Sequence, residues 1–271
     1  MPPFDSKIIS DYVVVDLETT GLSPEKDRII EIAAVKVEND AVTDKFSTLV
    51  NPHRHIDSYI TELTGIDDSM VKNAPDISEA MPAFLKFAGN MTLLGHNIIR
   101  FDLRFLQAVT SLEAYCVDTL DIANHMHTGS HGRSLTALCS RFKVINDNAH
   151  RALSDCLATH GVYQKMKELY LDKGAYFTMA LSCGRKLHQE NIRAKCSIGT
   201  ALTAETDKKG ALLLCADGCT VGTVSGSRQT EFQENLHLVN GIFVSRIEEN
   251  DKGKLLMSAE VRIGGEKHST E

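Results

Sequence analysis

No apolar run in the 271 residues approaches the roughly 20 needed to span a bilayer, so a membrane-spanning helix is not expected. The opening MPPFDSKIIS lacks an apolar core of the kind a secretory leader carries, so export is not expected either. Seven cysteines, an odd number scattered along the chain, form no evident disulfide framework and point to a reducing compartment, the cytoplasm. No internal repeat and no low-complexity segment is present. An excess of basic residues is also missing: the net charge of −7 argues against a protein that coats nucleic acid by bulk electrostatics. What is there is ordinary for a globular protein, 42% apolar and 24% charged, with length for one large domain or two smaller ones. The charge is uneven, however. Residues 1–171 hold 16 Lys+Arg against 23 Asp+Glu, whereas residues 172–271 hold 13 of each, so the excess negative charge lies wholly in the first segment. Bound divalent cations would offset part of it, although on composition alone an acidic surface is the simpler account.

The first segment mixes two periodicities. Residues 12–17 read as a buried strand, followed by 29–39 and 42–51 as a meander turning at Asn39-Asp40. Helical spacing then appears at 78–90, 101–112, 133–142 and 152–170, interleaved with short strand-like pieces at 91–95 and 115–117. Three strands followed by alternating α and β predict an α/β fold, a mixed sheet flanked by helices. The character changes after Lys173-Gly174. Residues 175–190 read as one more helix. Short β-type runs follow at 211–216, 219–224, 241–247 and 255–263, separated by turn residues. Two domains are expected: 1–173, and a 174–271 domain of one helix plus mostly β structure, of unknown role.

The stretch Val13–Leu22, VVVDLETTGL, ends an apolar run in two carboxylates one residue apart. Side chains at i and i+2 of a strand share a face, so Asp16 and Glu18 lie side by side. Anions that close raise each other's pKa unless a cation lies between them. In Gly95–Asp102, GHNIIRFD, a strand-like piece leads into a helix whose first turn carries Asp102. In His150–Asp155, HRALSD, a histidine precedes a helix carrying Asp155 among small and apolar neighbours, where an unpaired charge would be costly. Four carboxylates on separate elements plus one imidazole suit two-metal phosphodiester hydrolysis, since hard cations such as Mg²⁺ or Mn²⁺ take oxygen ligands. A histidine with a pKa near neutrality can take the proton from the attacking water.

These three segments, in this order, resemble the three exonuclease motifs of the DEDD family in its His-containing (DEDDh) branch, which includes the epsilon proofreading subunit and the proofreading domains of bacterial replicative DNA polymerases. The match covers about residues 10–170. The resemblance implies a ribonuclease H-like fold and 3′→5′ exonuclease activity, with two Mg²⁺ or Mn²⁺ ions held by Asp16, Glu18, Asp102 and Asp155 and with His150 as general base. It also implies that Thr19 and Leu22 contact the 3′-terminal nucleotide. Three residues, Ile98–Arg100, separate Asn97 from Phe101 where relatives often have two.

Other residues carry weaker signals. Asn97 is an amide able to orient substrate, and His96 reads as structural or supporting. Asp118 reads as the cap of a helix beginning near Thr119. Arg28, Arg100, Arg104, Arg133 and Arg151 are candidate phosphate contacts, although any one such arginine is more often a solvated charge. Residues 60–70, ITELTGIDDSM, are similar to a segment near the substrate groove of related exonucleases, or form a short packed helix. Cys215 and Cys219 flank Asp217-Gly218, a spacing that a hairpin explains better than zinc. The expected function is release of nucleoside 5′-monophosphates from DNA 3′ ends, single-stranded ends favoured. A polymerase or other protein is the expected partner through the C-terminal domain. An RNA-trimming exoribonuclease and a catalytically silent binding module are the alternatives.

Overall fold

The computed structural model describes residues 4–126 and 132–265. They fall into two compact units. The first comprises residues 9–124 and 132–167, and its heart is a five-stranded sheet of order β3-β2-β1-β4-β5. Strands β1 (Tyr12–Thr19), β2 (Ile29–Glu38) and β3 (Ala41–Leu49) form an antiparallel meander. The β2–β3 connection is the two-residue turn Asn39-Asp40, both at positive φ (50° and 65°), the left-handed geometry that matches strand twist.

Helices α1 (Ser58–Thr64), α2 (Asp68–Val71) and α3 (Ile77–Ala88) precede the three-residue strand β4 (Leu93–Gly95), which runs parallel to β1. Then come α4 (Asp102–Val109), β5 (Cys116–Asp118), α5 (Thr119–Asn124), α6 (Leu135–Phe142) and α7 (Ala152–Lys173). A parallel neighbour cannot be reached by a hairpin, which is why helical crossovers appear where β4 and β5 join the sheet.

Both faces of β1 are covered. Val13, Val15 and Leu17 join a buried cluster with Ala80, Met81 and Phe84 of α3 and Phe105 and Leu106 of α4. The alternate residues face α7: the Tyr12 ring packs edge-on against Tyr163 at 5.2 Å, and Cys156 Sγ reaches the Val14 carbonyl at 3.8 Å. The strand therefore reads as continuously apolar until its end. Asp16 and Glu18 fall on the α7 face, and that decides what they meet.

The second unit comprises residues 4–8, 125–126 and 168–265. It holds β6 (Ala175–Leu181), α8 (Lys186–Lys195), β7 (Thr203–Thr206), β8 (Leu212–Ala216), β9 (Cys219–Val224), α9 (Ser227–Glu234), β10 (Val239–Glu249) and β11 (Leu255–Ile263). Two three-stranded sheets, β10-β11-β6 and β7-β8-β9, are tied at both edges by the antiparallel bridges Ser182↔Thr223 and Ala201↔Phe243, so the six strands close on themselves. Phe4 belongs to this unit, its N–H donated to Asn235 Oδ1 at 2.7 Å and its ring 5.0 Å from that of Tyr170.

The helix expected over 175–190 is corrected. Residues 175–181 form strand β6, with alternate residues buried, paired along its length with β11, and the helix begins only at Lys186. Ala-Tyr-Phe-Thr-Met-Ala-Leu has no caps and alternates in burial; pairing with a distant strand outweighs its mixed local propensity. Among the described residues no helix is long and apolar enough to cross a membrane.

Candidate active site

Three chain segments converge where β1 ends. Asp16 and Glu18 project from β1 toward α7, and Asp155 reaches them from the first turn of that helix. One oxygen from each of Asp16, Glu18 and Asp155 lies within 4.8 Å of the others. Among the described residues this is the one group of three or more His, Cys, Asp or Glu side chains close enough to share a metal ion.

Asp102 stands beside this group rather than in it. It opens α4, is 3% exposed, and accepts the Leu17 N–H through Oδ1 at 3.1 Å. The reason is topological. Strand β4 ends at Gly95, which leaves β1 to run on without that parallel neighbour, and the Asp102 carboxylate takes the place of a strand carbonyl. The carboxyl ends of β1 and β4 are thus capped by acids, in the crevice where open α/β sheets place their ligands.

Electrostatics reflect the crowding. Burial first, then the charges of Asp102, Asp155, Glu18 and Glu31, hold Asp16 well above the usual carboxylate range. Glu18 is pushed up to about 8, by burial first and then by Asp155, Glu31 and Asp102, with Arg151 pulling the other way. Burial also raises Asp102, opposed by backbone hydrogen bonds that include Leu17's. A site whose donors are all oxygen, and whose anions are this costly to keep ionised together, fits a hard divalent cation.

Asp155 is held from two sides. Asn146 Nδ2 donates to Oδ1 at 2.6 Å, and the backbone N–H of His150 donates to Oδ2 at 3.1 Å. Asn146 is itself set by Ser154 Oγ, which donates to its Oδ1 at 2.7 Å. His150 has φ of 64° and an exposed side chain; its backbone N–H, donated to Asp155, is what ties it to the acids, and its ring is not part of the metal-sharing group. Asn146 and Glu31 escape sequence reasoning. Asn146 sits in a loop without periodicity, and Glu31 hides inside the apolar run of β2, where only the β1–β2 register places it opposite Glu18.

The substrate candidates are placed differently from one another. Leu22 is 84% exposed just beyond β1. Thr19 is buried, with its hydroxyl donated to the Gly21 carbonyl at 2.6 Å. Gly21 has a local cause: a Cβ there would lie 2.4 Å from the Asp27 carboxylate, which accepts the Ser23 N–H at 2.9 Å and closes the turn. Asn97 is half-buried at φ 65°, and Asp118 accepts N–H groups from Asn97 (2.8 Å), Ile99 (3.3 Å) and Leu120 (2.9 Å). Asp118 therefore caps α5 and shapes the GHNII turn as well. His96 Nδ1 meets Thr119 Oγ1 at 2.9 Å, and burial keeps its pKa below the usual histidine value.

Arg151 forms a bidentate ion pair with Glu31. Residues 60–70 form parts of α1 and α2, with Ile66 buried against Ile30, Ile56 and Val71. Cys215 and Cys219 flank a two-residue hairpin at Asp217-Gly218, both at positive φ.

Comparison with known proteins agrees with this geometry. The exonuclease family signature matches residues 13–163. The PolC-type DNA polymerase III of Caldanaerobacter subterraneus subsp. tengcongensis is 41% identical over 169 residues, 60% of this chain and 12% of that protein. The DNA polymerase III subunit epsilon of Aquifex aeolicus is 34% identical over 177 residues, 63% of this chain and 87% of the subunit. The chain thus spans only about an eighth of the PolC-type polymerases, but most of the epsilon subunit. A structure of exonuclease X in complex with 5′ overhanging duplex DNA is 27% identical, with a TM-score of 0.51 over 58% of this chain and 91% of that one. With the match extending over more than half its length and over all three acidic motifs, the chain belongs to the exonuclease family.

Proposed function

We propose that this protein is a metal-dependent 3′→5′ exonuclease that releases nucleoside 5′-monophosphates from DNA 3′ ends. The observation that carries the reading is the convergence of Asp16, Glu18 and Asp155 within 4.8 Å at the end of β1. Asp16, Glu18 and Asp155, with Asp102 alongside, would hold Mg²⁺ or Mn²⁺ as a pair of ions. When bound, such ions supply an acidified water and offset charge on the departing oxygen.

The chain's own groups do the rest. His150 takes the proton from the attacking water, a role that suits an exposed imidazole whose backbone N–H is tied to Asp155. Water adds at phosphorus, the bond to the 3′ oxygen of the shortened strand breaks, and that oxygen takes a proton from solvent to leave as the 3′-hydroxyl. Thr19, Leu22 and Asn97 face the terminal nucleotide: exposed Leu22 offers apolar contact to the last base, and Asn97 offers an amide. A single-stranded end is favoured, since a recessed cluster admits an unpaired terminus more readily than a stacked duplex.

DNA is favoured over RNA because the relatives named above are DNA polymerase components and exonuclease X is bound to DNA. Residues 1–173 are proposed to carry the activity and residues 174–271 to engage a polymerase or another protein. Seven free thiols support a reducing, cytoplasmic setting.

The test is digestion of 3′- and 5′-labelled single strands, DNA and matched RNA, with Mg²⁺ or Mn²⁺ and with EDTA. Mononucleotide release from the 3′ label, on DNA and only with metal, is expected. Full activity in EDTA would overturn the metal reading, and faster RNA cleavage would overturn the substrate.

A further inference from the structure

One buried carboxylate beside the site has no part in the mechanism above. Glu31 on β2 is 1% exposed and lies opposite Glu18 in the β1–β2 ladder. Its two oxygens are taken up by the start of α7. Arg151 Nε donates to Oε2 at 3.2 Å, an Arg151 terminal nitrogen donates to Oε1 at 2.9 Å, and the Ala152 N–H donates to Oε2 at 3.2 Å. Ser47 Oγ adds a longer contact to Oε1 at 3.4 Å. Paired N–H donors fix a guanidinium in orientation as well as position, and the Ala152 amide is one of the donors a helix leaves unsatisfied in its first turn.

The two residues so held directly follow His150. His150 itself is in the left-handed region at φ 64°, a conformation that costs a non-glycine residue free energy and persists where the surroundings over-determine it. Two anchors are present. Upstream, the His150 N–H is donated to Asp155 Oδ2 at 3.1 Å. Downstream, Arg151 and Ala152 are tied to Glu31 on a different element. A plain ion pair would serve the packing of α7 on the sheet at any point along the helix; this one grips Arg151, the residue between the candidate base and the helix that carries Asp155, and Ala152, the first residue of that helix.

We infer that Glu31 and Arg151 are a positioning pair: Glu31 fixes the His150-Arg151-Ala152 turn and thereby the direction of the His150 imidazole relative to Asp155. This rests on the reading of His150 as general base. Displacing a reacting group by about 1 Å costs on the order of 10²-fold in rate, which sets the size of effect to look for.

The test uses the full chain with Glu31→Gln, which keeps the shape but loses the charge, and Arg151→Lys, which keeps the charge but loses the fork. Each is checked for folding by circular dichroism and thermal unfolding. kcat and KM are then measured separately on a 3′-labelled single strand at saturating Mn²⁺, and amide hydrogen exchange is followed over 150–155. For Glu31→Gln the expected result is a kcat lower by about 10- to 100-fold, a KM changed by less than about threefold, and faster exchange at 150–152. For Arg151→Lys a kcat loss of about tenfold is expected. Should Glu31→Gln fail to fold, Arg151→Lys carries the test. The double variant should lose no more than the worse single, because both act through one turn.

A folded Glu31→Gln protein with kcat within about twofold of wild type and unchanged exchange would overturn the inference, as would losses that simply add. A wild-type protein that hydrolyses no strand would instead overturn the functional reading, and the exchange data would still decide whether the pair holds the turn.

Discussion

Asp155 accepts from Asn146 and from the His150 backbone while lying within metal-sharing distance of Asp16 and Glu18, whereas the His150 side chain is exposed. The two residues should therefore fail differently when replaced. Asp155→Asn removes a charge from the oxygen cluster, so turnover should fall to near zero and the Mn²⁺-induced rise in melting temperature should shrink. His150→Ala leaves the cluster intact: the rise with Mn²⁺ should be kept while the rate drops by roughly 10²–10⁴-fold, the usual range for loss of a general base. Single-turnover rates paired with Mn²⁺ melts read both quantities. Equal loss of metal response in the two variants would make the imidazole a ligand and sink its assignment as base.

At the scale of elements, β5, α5 and the 96–99 turn are joined through Asp118. Its carboxylate is 5% exposed and takes three N–H groups, two from the turn that leads to Asp102 and one from the first turn of α5. Asp118→Ala would strand these donors, each costing about 1–3 kcal/mol when left unsatisfied in a buried site and less where water enters. A loss of about 2–4 kcal/mol of stability by urea unfolding is expected, with the Mn²⁺ response of the folded fraction preserved. Loss of the metal response at full stability would instead make Asp118 a ligand. Gly95 belongs to the same turn: a Cβ there would lie 2.7 Å from Ile98 Cβ and 3.0 Å from the Val15 carbonyl, so β4 can approach β1 only with glycine at that place.

For the molecule as a whole, the acid cluster sets a pH dependence whose sign is unusual for carboxylates. Glu18 has a folded-state pKa of about 8 against an ordinary 4.5, and Asp16 and Asp102 are raised as well. Between those values the folded protein binds more protons than the unfolded chain. The contribution of these groups to stability in the absence of metal is therefore fully present below about pH 4.5 and is lost as pH rises through about 8. Melting temperatures measured in EDTA should fall from pH 6 to pH 8, and the gain on adding Mn²⁺ should be larger at pH 8, where protons compete less for the ligands. A melting temperature in EDTA that rises over this range would contradict the raised values. The chain ended at Lys173 should still hydrolyse a short single strand. Phe4 would lose its hydrogen bond to Asn235, so residues 4–8 should become protease-sensitive in that truncation. A folded but inactive truncation would mean that residues 174–271 contribute to the site.

How much of this was written locally in the chain differs from residue to residue. The i, i+2 spacing of Asp16 and Glu18 on an apolar strand, the Asn39-Asp40 turn and the Asp217-Gly218 turn are properties of a few neighbouring residues, and each is legible because backbone geometry repeats wherever such residues occur. The order and spacing of the three acidic motifs likewise point to one chemistry. Other features depend on pairing between distant segments. Strand β6 is a strand because β11 lies beside it, and its own residues read as well for helix. Glu31 matters because the β1–β2 register sets it opposite Glu18 and the start of α7 reaches it. Asp102 turns to the Leu17 N–H because β4 stops at Gly95 and leaves that donor free. Local sequence determines which conformations and which chemistry are available; only long-range packing decides which buried polar groups need a partner, and a buried donor or acceptor left unpaired is costly enough to settle the choice.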